Sequence, residues 1–122
     1  MTDDAAGPGA PEMEALPVVD RESHQDLRDM IGVPTVERLV LRLIELMRAA
    51  FHGEARDAVA QEAHGLISTA GMMGCPRLAE VCRRLELAAQ GGQDYAALLA
   101  EARRTRDLTA AALSGAAPGG PT

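Results

Sequence analysis

The sequence predicts an all-α protein, and two features of its composition support this. Aromatic residues make up 2% of the 122-residue chain, with one Phe, one Tyr and no Trp. β-Sandwiches and barrels depend on aromatic and β-branched residues, which are scarce here. The chain is instead rich in Ala, Leu, Met, Glu, Gln and Arg, which favour helices. Its length suits one domain with a modest core, and the periodicity of its helical segments predicts an antiparallel four-helix bundle with a short extra N-terminal helix.

The two ends of the chain lack any apolar period. Residues 1–17 and residues 114–122 are rich in Pro, Gly and Ala, and the first of these segments also contains several acids. Such segments bury too little apolar surface to fold by themselves, so both are expected to be disordered tails. The helical bundle is therefore expected to span residues 18–113.

The first two helices are predicted from capping signals and apolar spacing. Asp20 is a good N-cap for a short helix that Gly32 and Pro34 close. Thr35 can cap a second, longer helix, which is expected to end at Gly53. The apolar residues of this second helix recur every three or four positions, as a buried helix face requires: Val36, Leu39, Val40, Leu43, Met47, Ala50 and Phe51.

Three further helices follow, separated by glycines. Glu54 and Asp57 suit the positive N-terminal end of a third helix, which runs to about Met73 and is followed by Gly74. Pro76 suits the first turn of a fourth helix, and a Gly-Gly pair then leads into a fifth. Long amphipathic helices with such short connections pack most economically as an antiparallel bundle. Their apolar stripes are, in chain order, Ala55, Val59, Leu66, Ala70 and Met73; Leu78, Val81, Cys82, Leu85 and Ala89; and Tyr95, Leu98, Leu99, Ala102, Thr109 and Leu113.

The charge pattern argues against several classes of partner. The net charge is −6, whereas nucleic-acid binding normally requires a basic surface, so we expect no nucleic-acid partner. The arginines at residues 83–84 and 103–106 interleave with acids and are expected to form a salt-bridged surface. The most apolar stretch, residues 36–51, is interrupted by Arg42, Glu45 and Arg48, so no membrane span is expected. The start of the chain does not resemble a secretory signal, and we expect a cytoplasmic protein.

The two cysteines do not predict a disulfide or a metal site. On one helix, Cys75 and Cys82 would lie two turns, or ~10 Å, apart, which is too far for a disulfide. They are expected to be small buried or half-buried thiols in a reducing compartment. No His pair has i, i+4 spacing, and no His, Cys and Glu residues cluster with the spacing of metal ligands. We therefore expect no bound metal.

His64 projects from the third helix on the side opposite its apolar stripe. A helix turns roughly 100° per residue, so Ala60, Ser68 and Gly71 share the face of His64 at a distance of one or two turns. Because these neighbours are small, a large partner could reach the imidazole. His24 and His52 lack such surroundings and are expected to be exposed residues at helix ends.

The residues around His64 resemble the signature of histidine-phosphotransfer (HPt) domains. His64 is followed by Leu66, by the small Ala70 and, ten residues after the histidine, by Gly74. Downstream, the chain matches the usual Leu-x-x-x-Cys-x-x-Leu-Glu stretch of the family with Leu78, Cys82, Leu85 and Glu86. The resemblance covers residues 18–113. It implies a four-helix bundle with a short extra N-terminal helix, as periodicity does independently.

The resemblance also implies that His64 is a phosphoacceptor, which exchanges a phosphoryl group with the aspartate of a receiver domain. Ile67 and Ser68 stand where the family usually has Lys and Gly. Neither change removes the nucleophile. Because Ile67 supplies no positive charge, we expect either a less stabilised phosphorylated form or a partner that provides the cation. The residues expected to surround the phosphoryl group or to dock the receiver are Ala60, Gln61, Ile67, Ser68 and Gly71.

A carrier of this kind needs no cofactor and no metal site of its own, because the receiver brings Mg²⁺ and charge-stabilising groups. The expected partners are receiver domains of response regulators, of hybrid histidine kinases, or of both. We expect the carrier itself to be a monomer, because each apolar stripe can be buried within one bundle.

Two other functions fit parts of the sequence. In a histidine-kinase dimerisation domain an acidic residue usually follows the histidine and Pro comes soon after. Here Gly65 follows His64, and the next Pro is Pro76, so that function is disfavoured. The serious alternative is a non-catalytic helical adaptor that binds a signalling partner without phosphotransfer, and Ile67 and Ser68 are its best support.

Overall fold

The predicted all-α class is confirmed in the structure, a computed structural model that describes residues 10–116. Within this range the chain forms no β-strand. In chain order the helices are α1 (Ala10–Ala15), α2 (Arg21–Ile31), α3 (Val33–Ala49), α4 (Arg56–Met72), α5 (Pro76–Gln90) and α6 (Ala96–Ala116).

The four long helices form a closed ring of contacts. Both α3 and α5 contact α4 and α6, while α2 packs on α3 and α1 packs on α5. Neighbouring helices meet at opposite ends. Arg56 at the start of α4 donates to the carbonyl oxygen of Ala89 at the end of α5, at 2.9 Å. Val36 at the start of α3 and Leu113 near the end of α6 line one cavity. These contacts agree with an antiparallel four-helix bundle.

The apolar stripes of the long helices meet in one core. Ala55 was expected on the buried stripe of α4, but it is exposed because it is the N-cap, where the helix begins. Ala63 is buried on that stripe instead. In α6 the buried hydroxyl of Thr109 is satisfied, since it donates to the carbonyl oxygen of Thr105 at 2.7 Å. The largest fully buried apolar side chains are Phe51, Leu43, Met47, Leu66, Met73, Leu78, Leu85, Val36, Val59 and Val81.

The expectation of a disordered tail over residues 1–17 does not hold for its second half, where the chain forms α1. Met13 is only 5% exposed and joins the core cluster. Arg77 on α5 donates to the carbonyl oxygens of Glu14 and Leu16, both at 2.8 Å. These contacts with α5 hold a segment too short to be a stable helix by itself. At the other end, α6 continues to Ala116, past the predicted boundary at residue 113. Residues 1–9 and 117–122 of the predicted tails lie outside the described residues.

The boundaries of α3 also differ from the prediction. The helix begins directly after Gly32, so Pro34 lies in its first turn and Thr35 is not the cap. It ends at Ala49 rather than near Gly53. The reason for the early end is tertiary. Arg106 and Arg103 on α6 donate to the carbonyl oxygens of residues 50 and 51, at 2.8 and 3.0 Å, and so satisfy acceptors just after the helix end that have no partner within the helix.

The turn after α4 is held against α2. Asp20 caps α2 as predicted, because its side chain accepts from the backbone N–H groups of Glu22 and Ser23. Its own N–H donates to the carbonyl oxygen of Gly74 at 2.7 Å. Gly74 has φ +76°, and a Cβ there would lie 3.2 Å from the Asp20 carbonyl oxygen. Only glycine adopts this positive φ and fits this close to the Asp20 carbonyl oxygen without strain, so Gly74 sets the geometry in which α4 ends.

No helix formed by residues 10–116 is long and apolar enough to span a bilayer.

The two cysteines are free and buried, as predicted. Burial raises the pKa of the Cys75 thiol from 9.0 to about 11. Burial, together with the nearby Glu86 carboxylate, raises the pKa of the Cys82 thiol to about 12.

Alkylation requires the thiolate, whose fraction at pH 8 is smaller in the folded chain because the pKa of each thiol is raised. At pH 8 we expect iodoacetamide to alkylate Cys75 ~100-fold more slowly in the folded chain than in urea, as measured by mass spectrometry. Equal rates would contradict the burial of the thiol.

Candidate functional site

His64 lies in the middle of α4 with its side chain 74% exposed. The opposite side of the helix holds it in this direction, because Val59, Ala63, Leu66 and Ala70 are buried in the core. The outward projection predicted from helical periodicity is therefore confirmed. An imidazole at this position is open to a macromolecular partner.

Glu86 on α5 lies beside the imidazole. Nδ1 of His64 is 2.9 Å from Oε2 of Glu86, and Gln90 Nε2 donates to the same oxygen at 3.3 Å. The Glu86 side chain is only 15% exposed, so the neighbouring helix holds this carboxylate at the site. An ionised carboxylate can only accept, so this contact places a proton on Nδ1, and in the neutral imidazole the free lone pair is then on Nε2. The pair thus presents a nucleophilic nitrogen to solvent.

A shallow depression contains the imidazole and brings together part of the predicted site. Of the predicted neighbours, Ala60 and Gln61 line it. The rest of the lining consists of the carboxylates of Asp57 and Glu86 and the amide of Gln90, none of which was predicted as a site residue. Glu86 was noticed only within the Leu-x-x-x-Cys-x-x-Leu-Glu stretch, and nothing in that stretch indicates a contact with His64. The site therefore belongs to two helices, not to α4 alone.

The other predicted neighbours extend the face along α4 beyond the depression. Ser68 and Gly71 are exposed, and a Cβ added to Gly71 would meet no atom within 4 Å. Ile67 is half-buried and packs against the core. This stretch after His64 is thus low and open, with Ile67 turned partly inward.

The depression has no cation in its lining. Its charged groups are the carboxylates of Asp57 and Glu86. Arginines of the adjoining helices have other partners: Arg83 and Arg84 pair with Glu80. Arg56 donates to the carbonyl oxygens of Ala89 and Gln93. A negatively charged group on Nε2 would therefore meet two carboxylates and no neutralising charge among the lining residues.

The other two histidines have different surroundings. His24 was expected to be an exposed residue at a helix end, and this is wrong: it is half-buried, with Nδ1 3.2 Å from the carbonyl oxygen of Met73. It thereby ties α2 to the end of α4. His52 is exposed, as expected, and its ring contacts the carbonyl oxygen of Arg48. Neither histidine lines the depression around His64.

The arginine clusters are used mainly within the protein. The predicted salt-bridged surface is confirmed for Arg83 and Arg84, and also for Arg104 and Arg106, which pair with Glu101 and Asp107. Sequence reading did not anticipate that Arg103 donates to the carbonyl oxygens of Phe51 and Gly53. Across residues 10–116, no three His, Cys, Asp or Glu residues are grouped so that they could hold a metal ion.

A known family matches most of this chain. The model of the family described as the Hpt domain matches residues 22–115, which extend from the first turn of α2 almost to the end of α6. This range is more than half of the chain and includes His64 and Glu86. Comparisons with curated proteins and with solved structures found no match.

Proposed function

This chain belongs to the Hpt domain family, and on that premise we propose that His64 carries a phosphoryl group between receiver domains. The family gives the general role, which is phosphotransfer in two-component signalling. The observation that supports His64 as the carrier is its geometry: an exposed imidazole whose Nδ1 lies 2.9 Å from the half-buried Glu86 carboxylate. The partners we propose are receiver domains of response regulators, of hybrid histidine kinases, or of both, in the cytoplasm.

The Glu86 contact prepares the nucleophile. In the neutral ring with hydrogen on Nδ1, the lone pair of Nε2 can attack phosphorus. An Nε2–P bond forms as the P–O bond of the aspartyl phosphate breaks, and the aspartate leaves as a carboxylate. The ring keeps its Nδ1 hydrogen and gains positive charge. The Glu86 carboxylate, already hydrogen bonded to that hydrogen, stabilises this charge. In the reverse step the phosphoryl group returns to an aspartate and the lone pair to Nε2.

This chain positions and orients the imidazole, and the receiver domain contributes the positive charge around the phosphoryl group. Phosphoryl transfer depends mainly on positioning and on neutralising charge around the transferring group. With Asp57 and Glu86 in the lining and no cation there, the receiver and its Mg²⁺ would supply positive charge. The exposed Ser68 and Gly71 leave room for that partner along α4.

The proposal is tested by transfer of label. The protein is incubated with a ³²P-phosphorylated receiver domain and Mg²⁺, and the bound label is examined for stability. Phosphohistidine should be labile in acid and stable in base, which distinguishes it from a phosphoester. Absence of such label with every cognate receiver would reject the carrier role and favour the helical adaptor instead.

Glu86→Gln should slow transfer by about tenfold. The amide replaces a charge-assisted hydrogen bond with a neutral one and can also donate, which favours the wrong tautomer. Rates are measured by rapid-quench transfer, and the tautomer by ¹⁵N chemical shifts of the His64 ring. Glu80→Gln is the matched control, because Glu80 lies on the same helix but pairs with Arg83 and Arg84. If neither rate nor tautomer changes in Glu86→Gln, Glu86 does not orient the ring.

Ile67→Lys should stabilise the phosphorylated form. Ile67 follows His64 by one turn of α4 and is half-buried, so a lysine stem could cover the same apolar surface while its amine reaches solvent. An exposed ion pair of this kind should lengthen the half-life of phosphohistidine by about two- to fivefold. The measurement is loss of label from purified phosphoprotein at neutral pH. Ile67→Met is the uncharged control, and an equal gain with Met would show that charge is not the cause.

A further inference from the structure

A cavity of about 530 Å³ lies between α2, α3 and the end of α6. None of its lining residues lines the depression that contains His64. Its volume falls within the range of small-molecule binding sites. The proposed phosphotransfer does not use this cavity, so its chemistry calls for a separate explanation.

The two main walls of the cavity differ in polarity. Along α3 the wall is largely apolar, with Val36, Val40 and Ile44, and Leu113 of α6 adds to it. Along α2 it is polar, because the cavity-facing residues there recur at one helix face: Arg21, His24, Gln25 and Arg28. None of the residues of α2 is buried, so this helix borders the cavity more than it packs on the core. The space thus suits a molecule that is polar on one side and aliphatic on the other.

The polar wall carries unpaired positive charge. Arg28 Nε is buried and has no hydrogen-bond partner within residues 10–116, a costly state for a guanidinium nitrogen. Neither Arg21 nor Arg28 forms an ion pair in that part of the chain, and Glu37 is the single carboxylate in the lining. Nδ1 of His24 contacts the carbonyl oxygen of Met73. Two arginines against one carboxylate make the cavity cationic within a chain of net charge −6.

We propose that this cavity binds an aliphatic carboxylate. The carboxylate accepts from the guanidinium of Arg28, which lines the cavity, and Arg21 adds positive charge at the same wall. The hydrocarbon chain lies against Val36, Val40 and Ile44. The site is independent of His64, so it holds or fails separately from the phosphotransfer role.

Octanoate is the probe, added to the full ¹⁵N-labelled chain and followed by NMR. We expect saturable shifts at α2 and α3 amides with a dissociation constant on the order of 1 mM. Octan-1-ol, which has the same chain without the charge, and acetate, which has the charge without the chain, should each bind at least tenfold more weakly. Arg28→Gln should weaken octanoate binding by about tenfold and leave octan-1-ol unaffected. Arg38→Gln is the matched control, since Arg38 is exposed on α3 and does not line the cavity.

Several results would overturn the proposal. Octanoate shifts that do not saturate, or octan-1-ol or acetate binding as tightly as octanoate, would remove its chemical basis. An unchanged octanoate affinity in folded Arg28→Gln would show that Arg28 does not hold the carboxylate.

Val40→Phe provides a test that keeps both arginines: a ring added to the apolar wall should reduce octanoate binding by occlusion. Binding that arises only after deletion of residues 117–122 would make that segment the occupant.

Discussion

Replacing His64 with Gln is expected to abolish uptake of the phosphoryl group, with a loss of at least ~10³-fold in labelling rate. A glutamine amide has no lone pair able to attack phosphorus, so nothing at this position can form the bond. The fold should be unaffected, because the His64 side chain is 74% exposed and its hydrogen bond reaches only Glu86. Labelling is measured from a phosphorylated receiver with Mg²⁺, and folding by urea unfolding of the same preparation.

His52→Gln is the matched control for this loss. His52 is also exposed, so the substitution is the same in chemistry and in exposure, but the residue lies outside the depression around His64. We expect it to take up label as the wild-type chain does. Acid-labile label on His64→Gln, or its loss from His52→Gln, would place the phosphoacceptor elsewhere and contradict the proposed mechanism.

The direction of His64 could be predicted from the sequence because it depends on one helix alone. Helical rotation places the buried Val59, Leu66 and Ala70 away from the imidazole, and no other part of the chain is needed for that inference. Glu86 could not be predicted in the same way. Its contact with His64 depends on the register in which α4 and α5 pack, which neither helix encodes alone.

The helices of the bundle could also be predicted, because apolar periodicity is a property of each segment alone. The errors lie where contacts with residues distant in sequence determine whether a segment is helical or where a helix ends. Composition suggested a disordered segment around α1, but Arg77 on α5 holds its last carbonyls and Met13 enters the core. Glycine spacing suggested that α3 ends near Gly53. The chain leaves the helix earlier because Arg103 and Arg106 of α6 meet its end. These arginines were predicted to be surface charges, which sequence pattern alone does not distinguish from helix caps.

Phe51, two residues after the end of α3, is expected to dominate the stability of the bundle. It is 1% exposed and is the one Phe in the chain. Its φ is +68°, a conformation that costs an L-residue roughly 1–2 kcal/mol. The surroundings offset this cost, since its N–H donates to Glu62 Oε1 at 2.9 Å and its carbonyl oxygen accepts from Arg103 at 3.0 Å. The ring and these two bonds together join α3, α4 and α6.

Phe51→Ala should lower the free energy of unfolding by about 3–5 kcal/mol, because it removes the ring and leaves a cavity. The measurement is urea unfolding followed by circular dichroism, with the slope of the transition unchanged. Leu108→Ala, at a side chain that is 51% exposed on α6, should cost less than about 0.5 kcal/mol. Phe51→Gly separates the ring from the backbone: at φ +68° glycine is unstrained, so this variant should be at least as stable as Phe51→Ala. At an ordinary helical position a glycine variant is less stable than the alanine variant. If Phe51→Gly were likewise less stable than Phe51→Ala, the left-handed backbone at residue 51 would not be maintained in solution.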